Sequence, residues 1–217
     1  MSTPGEPPPT RWEQLGDTRE TPYVRVFTAR LDAGEDVDGE ARLADVLLPR
    51  GGRVLDAGSG IGRVAEALRR RGHDVTAVEK DPALVAISRE RFPEVPVVEA
   101  DLLEVSPARL AQDGHPPAYD LVVAVGNVMA YLAEDTEVRV LRALAALLVP
   151  GGRVLVGHHL GDVPEGARDY PPAELAAHAE EAGLEVQHLF GTYDLAPPAE
   201  DYVVAVLVAR VANGRAR

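Results

Sequence analysis

A glycine-rich turn that begins with a carboxylate is the segment of this chain best suited to bind a ligand. Residues 53–62 read Arg-Val-Leu-Asp-Ala-Gly-Ser-Gly-Ile-Gly, so a short apolar stretch leads to Asp56 and then to glycine at every second position from Gly58 to Gly62. Glycines at such a turn let a ligand lie against bare backbone, and the helix that follows offers free N–H donors. The pattern predicts a nucleotide-like ligand. The alternative is a turn that contains glycine for steric reasons only.

The residue types around this turn indicate which nucleotide is bound. A carboxylate at Asp56 would repel the pyrophosphate of a dinucleotide, but it suits a ligand that carries ammonium and sulfonium groups. The third glycine of the dinucleotide pattern would fall at Arg63 rather than at Gly62. A nicotinamide-dependent oxidoreductase is therefore the less favoured alternative.

Two more acids follow the next two predicted strands. Glu79 ends the second strand, where a carboxylate can accept both hydroxyls of a ribose. Asp101 follows the third strand and can accept from an adenine amino group, while the backbone N–H of Leu102 pairs with a ring nitrogen. The alternative for Glu79 is a solvated acid at a strand end, and the alternative for Asp101 is a surface-turn or helix-cap acid. Together with Asp56, the two acids predict a ligand that contains ammonium, ribose and adenine.

Alternating strands and helices must hold these residues at one edge of a sheet. Their short spacing predicts an α/β fold with a doubly wound, mostly parallel sheet. About eight residues separate the last two strands, too few for a crossover helix, so these strands should pair antiparallel. Strands are predicted at 53–57, 74–79, 95–100, 120–125, 153–157, 185–193 and 202–210, and helices at 37–48, 61–71, 82–91, 106–113, 134–148 and 172–182.

The ordered set of motifs resembles the class I S-adenosylmethionine-dependent methyltransferases of the small-molecule type. The matching segments are 54–62, 77–79, 99–102, 119–123 and 148–153, and the resemblance covers roughly residues 37–210. It implies a three-layer αβα fold whose seven-stranded sheet has the order 3-2-1-4-5-7-6 with strand seven antiparallel. It also implies S-adenosyl-L-methionine as the cofactor. The DNA amino-methyltransferase signature, (Asn/Asp)-Pro-Pro-(Tyr/Phe), is absent from the chain.

The candidate cofactor-binding residues lie at the ends of the first four predicted strands. The segment after the fourth strand, 126–132, sits where cofactor and substrate should meet, and similar segments in small-molecule methyltransferases hold the methionine part. Asn127 as a plain turn residue is the alternative. The candidates are Asp56, Gly58, Ser59, Gly60, Glu79, Lys80, Asp101, Leu102, Gly126 and Asn127.

Two adjacent histidines end the fifth predicted strand and are the candidate catalytic residues. His158 or His159 can accept a proton from a substrate hydroxyl or ammonium. Because neighbouring side chains on a strand point to opposite faces, at most one of them should face the ligand. No Glu or His lies at ligand spacing nearby, so no metal is expected. A structural or surface role for both histidines is the alternative.

Residues 1–36 are predicted to be a flexible segment and possible lid, and residues 37–217 the methyltransferase domain. Residues 1–10 are rich in proline and polar residues and are expected to be disordered. Tyr23, Arg30, Arg42 and Tyr131 are the candidate lid or substrate contacts. An aromatic pair that anchors a packed N-terminal helix is the alternative. Order in residues 11–36 over the cofactor would favour an enzyme over a catalytically silent, regulatory module that binds the cofactor or S-adenosylhomocysteine.

The composition limits the partners. A net charge of −13 disfavours nucleic acid, whose phosphates need a basic face. The absence of cysteine rules out disulfides and thiolate catalysis. The N-terminus lacks the apolar core of a signal peptide, and no stretch reaches the roughly 20 apolar residues of a membrane span. We therefore expect a cytoplasmic enzyme with a small-molecule substrate and no nucleic-acid or membrane partner. The methyl acceptor and the oligomeric state stay open.

Overall fold

The computed structural model describes residues 7–210, which form one seven-stranded sheet with helices on both faces. The strands are β1 (Arg53–Ala57), β2 (Asp74–Glu79), β3 (Val97–Glu99), β4 (Tyr119–Ala124), β5 (Leu148–His159), β6 (Leu184–Phe190) and β7 (Tyr202–Ala209). The helices are α1 (Pro22–Asp32), α2 (Gly39–Leu47), α3 (Arg63–Arg70), α4 (Pro82–Arg91), α5 (Pro107–Gln112), α6 (Val128–Tyr131), α7 (Glu137–Ala145) and α8 (Pro172–Glu181). The disorder expected for residues 1–10 falls mostly on residues 1–6, which lie outside the described range, as do residues 211–217 of the predicted domain.

The strand order is β3-β2-β1-β4-β5-β7-β6, which confirms the expected topology. Strands β1 to β5 pair in parallel, whereas β7 is antiparallel to both β5 and β6. The chain runs outward from β1 to β3 and then returns to β4 on the other side of β1. Ligands of open α/β sheets bind at such a reversal, outside the carboxyl ends of the strands.

The central strands are buried on both faces. Leu55 and Val122 face one apolar layer, which is completed by helices α5, α7 and α8. Val54 and Leu121 face the other layer, which is completed by α2 and α3. Because helices cover both faces, the strands are near-continuous apolar runs rather than alternating patterns. Asp56 is the carboxylate embedded in this apolar strand, and nearly all of its surface is buried.

Strand β5 is much longer than the predicted 153–157, and the preceding helix is shorter than predicted. Helix α7 ends at Ala145, and Pro150-Gly151-Gly152 lies inside β5 instead of ending a helix. Two partner strands extend β5 at both ends. Leu148 pairs with Tyr119 of β4, and His159 pairs with Tyr202 of β7. By contrast, β3 pairs only with β2 and is shorter than the predicted 95–100.

The described part of the N-terminal segment is folded. Two short 3₁₀ helices, Glu13–Leu15 and Thr18–Glu20, precede α1. Thr21 caps α1 by accepting from the Val24 N–H, and Pro at the first helical position suits a helix start. Val24 packs against Ile61 of the glycine turn and Leu84 of α4. The possible lid is therefore a packed layer on the carboxyl edge of the sheet.

Among residues 7–210, no helix is both long enough and apolar enough to cross a membrane.

Candidate functional site

A cavity of about 550 Å³ opens at the carboxyl ends of β1 to β4. This size falls in the range of small-molecule sites, roughly 300–1,000 Å³. One wall is the glycine turn, another is formed by the residues that follow β2, β3 and β4, and the N-terminal segment covers the top. All ten candidate cofactor-binding residues line this cavity.

The glycine turn is held in a shape that only glycine fits. Gly58 and Gly60 have φ angles of 71° and 58°, in the left-handed region. A Cβ on Gly58 would lie 2.7 Å from a methyl group of Val128, and one on Gly60 would collide with the Tyr23 hydroxyl. The Gly58 and Ser59 N–H groups both donate to the Val78 carbonyl, which ties the turn to β2.

Glu79 braces the same turn from the end of β2. Its Oε2 accepts from the Gly60 N–H at 2.7 Å, and its Oε1 accepts from the Asp81 N–H at 2.8 Å. Burial raises the pKa of Glu79 above its ordinary value, although the backbone N–H groups oppose that shift. The sequence suggested only a ribose contact here. The structure adds that Glu79 shapes the turn, because each carboxylate oxygen already holds one backbone donor.

Asp56 and Ser59 each present a buried polar atom that has no hydrogen-bond partner within the described residues. These atoms are Asp56 Oδ2 and Ser59 Oγ, and both residues line the cavity. Burial raises the pKa of Asp56 to about 7, while the Arg63 guanidinium opposes that rise. An unsatisfied buried polar group costs stability unless a ligand or water satisfies it. Both atoms are therefore available to accept hydrogen bonds from a ligand.

Asp101 lies at the far side of the cavity with Leu102 and Lys80. Its Oδ1 accepts from the Leu103 N–H at 2.8 Å, which shapes the loop after β3. Its Oδ2 lies 3.0 Å from the Lys80 ammonium, and that ammonium also binds Glu13 of the N-terminal segment at 2.7 Å. Lys80 therefore connects the N-terminal segment to the ends of β2 and β3.

The two histidines separate as the alternation of β5 requires. His159 lines the cavity, whereas His158 is fully buried on the other face with its Nε2 2.8 Å from the Tyr170 carbonyl. Burial lowers the pKa of His158. The catalytic prediction for His158 is wrong in this geometry, because its ring is packed against Tyr170 in the core and does not reach the cavity.

Of the candidate lid residues, the two tyrosines line the cavity and the two arginines do not. Tyr23 and Tyr131 are wall residues. Arg30 lies two helical turns beyond Tyr23, which places it past the cavity, and it pairs with Glu35 at 3.4 Å. Arg42 lies on α2 and binds Asp36 at 2.7 Å on the surface.

The sequence predictions missed two residues of this site, Trp12 and Arg63. The Trp12 indole N–H donates to Asp81 Oδ2 at 2.8 Å, and its ring meets Tyr23 and Tyr131 edge-on. Arg63 is buried, binds both carboxylate oxygens of Glu40 and lies 4.2 Å above the Phe27 ring. One feature of the sequence could have indicated Arg63 as a site residue: it lies in the first turn of the helix that follows the glycines.

A second cavity, of about 400 Å³, adjoins the first at the ends of β4 and β5. Asn127, His159 and Arg63 border both cavities. The further walls of the second cavity are Tyr202 of β7 and Tyr193 of the loop before it, whose hydroxyls lie 3.0 Å apart. Within residues 7–210, no group of three or more potential metal ligands is found.

Comparison with known proteins identifies the chain. A family model described as a methyltransferase domain matches residues 55–154. The structure superposes with a TM-score of 0.75 on the TehB-like SAM-dependent methyltransferase of Corynebacterium glutamicum, at 34% sequence identity over 87% of this chain and 96% of that one. This chain belongs to the S-adenosylmethionine-dependent methyltransferases. It is an enzyme of the class I fold, as the motifs predicted, and its cofactor is S-adenosylmethionine.

Two further comparisons show similarity to methyltransferases with other named functions. The ubiquinone biosynthesis O-methyltransferase of Xanthomonas axonopodis pv. citri is 30% identical over 167 residues, which cover 67% of each protein. The glycopeptide N-methyltransferase MtfA, solved with S-adenosylmethionine, is 18% identical with a TM-score of 0.64, so it shares the fold. The methyltransferase match decides against the predicted alternatives of a nicotinamide-dependent oxidoreductase and a catalytically silent module.

Proposed function

We propose that this methyltransferase binds its methyl donor in the larger cavity and transfers the methyl group to a small molecule in the adjoining one. The observation that carries the proposal is the pair of unpartnered buried atoms, Asp56 Oδ2 and Ser59 Oγ, beside the glycine turn. The turn leaves room for a ligand against bare backbone, and the two atoms supply acceptors for the donor's ammonium group.

The other strand ends suit the rest of the donor molecule. We assign the ribose hydroxyls to Glu79, whose two oxygens keep free lone pairs beside their backbone bonds. We assign the adenine to the loop of Asp101 and Leu102, with Lys80 holding Asp101 in place. Gly126 and Asn127 border the methionine end, where the two cavities meet.

The N-terminal segment acts as a cover in this proposal. Trp12 binds Asp81, the Arg11 N–H donates to the Tyr131 carbonyl at 3.0 Å, and Tyr23 lies on the glycine turn. These contacts join the two sides of the cavity entrance and keep water away from the reacting atoms. Exclusion of water and fixed alignment provide most of the rate when one reactant is already activated.

A small-molecule acceptor is supported by the size of the second cavity, about 400 Å³, and by the relatives. The names of those relatives describe ubiquinone biosynthesis and glycopeptide methylation, with oxygen and nitrogen as the methylated atoms. S-adenosylmethionine supplies an electrophilic methyl group on a sulfonium, so the protein needs to align the acceptor and manage its proton. We further propose a cytoplasmic location, and the net charge of −13 argues against a nucleic-acid partner.

Calorimetric titration with S-adenosylmethionine, S-adenosylhomocysteine and NAD⁺ tests the donor site. We expect both sulfur compounds to bind with one site per chain, and NAD⁺ to give no heat of binding because Asp56 repels its pyrophosphate. Trp12 is the single tryptophan of the chain, so its fluorescence should change when the donor binds beneath it. Binding of NAD⁺ alone, or of none of the three, would contradict the proposal.

A further inference from the structure

We propose that His159 Nε2 takes the acceptor's proton during methyl transfer, and that the acceptor is an uncharged aromatic hydroxyl compound bound in the second cavity. This inference rests on the proposed function, since it places the acceptor beside the donor site. Asn127 is a positioning residue in it: its side chain decides which nitrogen of His159 faces the acceptor.

The hydrogen bonds of Asn127 determine the tautomer of His159. Asn127 Oδ1 accepts from the His159 backbone N–H at 2.8 Å. A backbone N–H can only donate, so this bond identifies the side-chain oxygen of the amide. The same oxygen lies 3.0 Å from His159 Nδ1. Because a carbonyl oxygen only accepts, Nδ1 must carry the hydrogen, and in the neutral ring Nε2 is left with the lone pair.

The backbone supports this arrangement at both residues. Asn127 has φ of 75° and is the N-cap residue of α6, and its own N–H donates to the Gly157 carbonyl at 3.0 Å. His159 is the last residue of β5 and pairs in register with Tyr202, whose ring meets the imidazole edge-on at 4.9 Å. Asn127 on one side and Tyr202 on the other therefore hold the imidazole plane at the junction of the two cavities.

The walls of the second cavity indicate the class of acceptor. Four aromatic rings line it, from Tyr23, Phe27, Tyr193 and Tyr202, and such walls suit a flat aromatic ring. Gly157 lies under the tyrosines, where a Cβ would collide with the Tyr193 hydroxyl. The two tyrosines stay protonated, since burial raises the pKa of Tyr202 to about 12 and that of Tyr193 well above its ordinary value.

The charges around this cavity favour an acceptor that is neutral when it binds. Asp194 and Asp201 line it and form no ion pair with the described residues, whereas the one cationic wall residue, Arg63, is neutralised by Glu40. Carboxylates repel an anionic acceptor. They also hold an ammonium in its charged form, which has no lone pair to attack. An aromatic hydroxyl enters neutral, and its proton must leave as the methyl group arrives, because the same carboxylates disfavour a free phenolate.

In the methyl-transfer step that these positions allow, each bond formed is matched by a bond broken. The hydroxyl oxygen forms a bond to the methyl carbon, the sulfur–methyl bond breaks, and its electron pair stays on sulfur as a neutral thioether. The hydroxyl proton passes to His159 Nε2, and the imidazolium then returns it to water. General-base catalysis by a positioned side chain contributes about 10²–10⁴-fold to the rate.

Two measurements on the full chain loaded with S-adenosylhomocysteine or S-adenosylmethionine test this inference. Long-range ¹H–¹⁵N spectra of histidine-labelled protein should show His159 as the Nδ1–H tautomer. Asn127→Gly, which keeps the left-handed backbone and removes Oδ1, should shift His159 toward the Nε2–H tautomer. His159→Gln identifies the signal. An Nε2–H tautomer in the wild type, or no shift in Asn127→Gly, overturns the positioning role.

Turnover is measured as S-adenosylhomocysteine formed with three probes: catechol, 3,4-dihydroxyphenylacetate and benzylamine. We expect methylation of catechol, at least tenfold lower kcat/KM for the anionic phenylacetate, and none of benzylamine. His159→Gln should lower kcat for catechol about 100-fold, with donor affinity by calorimetry changed less than twofold, and Asn127→Gly should lower kcat about tenfold. His188→Gln, on the exposed strand β6, is the matched control and should keep full activity.

The outcomes separate this inference from the proposed function. A wild type that binds the donor but methylates only benzylamine, or none of the probes, overturns the acceptor class. A His159→Gln variant that keeps kcat within threefold of the wild type overturns the base. Failure to bind S-adenosylmethionine at all contradicts the proposed function itself.

Discussion

The two halves of the carboxyl edge of the sheet are built in different ways. In the donor half, at the ends of β1 to β3, buried carboxylates bind backbone N–H groups of nearby loops, as Glu79 does with Gly60 and Asp81. In the acceptor half, at the ends of β4 and β5 and the start of the antiparallel β7, side chains such as His159 and Tyr202 form the walls. Backbone-bound carboxylates give a rigid site for one ligand. Side-chain walls can change by substitution while the sheet is kept, which lets a common fold serve different acceptors.

The largest effect should come from the donor half, at Glu79. Glu79→Ala removes the acceptor for two backbone donors and for the ribose, and a hydrogen bond to a charged group contributes about 1.5–3 kcal/mol. We expect donor affinity to fall about 10- to 100-fold by calorimetry. We expect the free energy of unfolding in urea to fall by about 1–3 kcal/mol, with the fold retained.

Glu99→Ala is the matched control for this substitution. Glu99 pairs in register with Glu79 at the end of the neighbouring strand, but its side chain is half exposed. It should leave both affinity and stability nearly unchanged. Equal losses of donor affinity and stability in Glu79→Ala and Glu99→Ala would contradict a specific role of the buried Glu79 carboxylate.

The next effect is a pH dependence centred on Asp56, whose pKa burial raises to about 7. Its carboxyl is neutral below that value, so attraction for the donor's ammonium should be lost as the pH falls, and affinity should be about tenfold lower at pH 6 than at pH 8. The free energy of unfolding should change with pH in the opposite direction. A raised acid pKa contributes stability that is fully present below about pH 4 and is lost as the pH rises through about 7.

Asp56→Asn should flatten both pH profiles, measured by calorimetry and by urea unfolding across pH 5–9. Calorimetry in two buffers of different ionisation enthalpy should show a proton released on binding at pH 6 by the wild type only. Asp74→Asn, at the opposite edge of the sheet on β2, is the control and should keep both profiles of the wild type. A wild-type affinity that does not vary between pH 6 and pH 8 would remove Asp56 from the ammonium site.

A smaller effect is expected at the cover that joins the two halves. Trp12→Phe keeps an aromatic ring but loses the 2.8 Å hydrogen bond to Asp81, a loss of about 1 kcal/mol. We expect S-adenosylhomocysteine to dissociate about fivefold faster in a competition experiment followed by stopped flow. Arg19→Ala, an exposed position of the same segment, should have no effect. Unchanged dissociation in Trp12→Phe would mean that the segment does not act as a cover.

The smallest effect marks the outer limit of the site. Arg30 and Arg42 pair with Glu35 and Asp36 on the surface and do not line either cavity. Exposed ion pairs contribute about 0.2–1 kcal/mol. Arg30→Ala and Arg42→Ala should therefore change donor affinity less than twofold by calorimetry. A tenfold loss in either variant would extend the site to these surface arginines.

Much of the donor half could be read from the sequence because its residues follow strand ends. Each parallel strand delivers its last residue to the same edge, so Asp56, Glu79 and Asp101 meet by topology once the strands are assigned. The Gly58 and Gly60 turn was equally visible, since positive φ angles require glycine in a tight strand-to-helix turn.

The residues of the acceptor half and of the N-terminal cover could not be predicted from strand ends. Arg63 reaches its functional place through Glu40, and Trp12 through Asp81, and neither pair has a spacing that local periodicity detects. The choice between His158 and His159 depends on which face of β5 meets α8 and which meets the cavity, and the sequence left that open. The length of β5 also depends on its two partner strands rather than on its own residues.

The sequence by itself indicated the fold class and a ligand with ammonium, ribose and adenine groups, because periodicity and strand-end residues are local features that parallel topology gathers at one edge. The strand order and the identity of the donor followed from the resemblance of its motifs to the class I methyltransferases. Only the tertiary structure decided that His159 faces the cavities, that Asn127 holds its Nδ1, and that Tyr193 and Tyr202 wall the second cavity. These contacts join α6, β5, β7 and the loop before β7. The physical reason is that these contacts depend on side-chain packing between distant segments rather than on local propensity. That packing determines which nitrogen of His159 faces the acceptor and which side chains wall the second cavity.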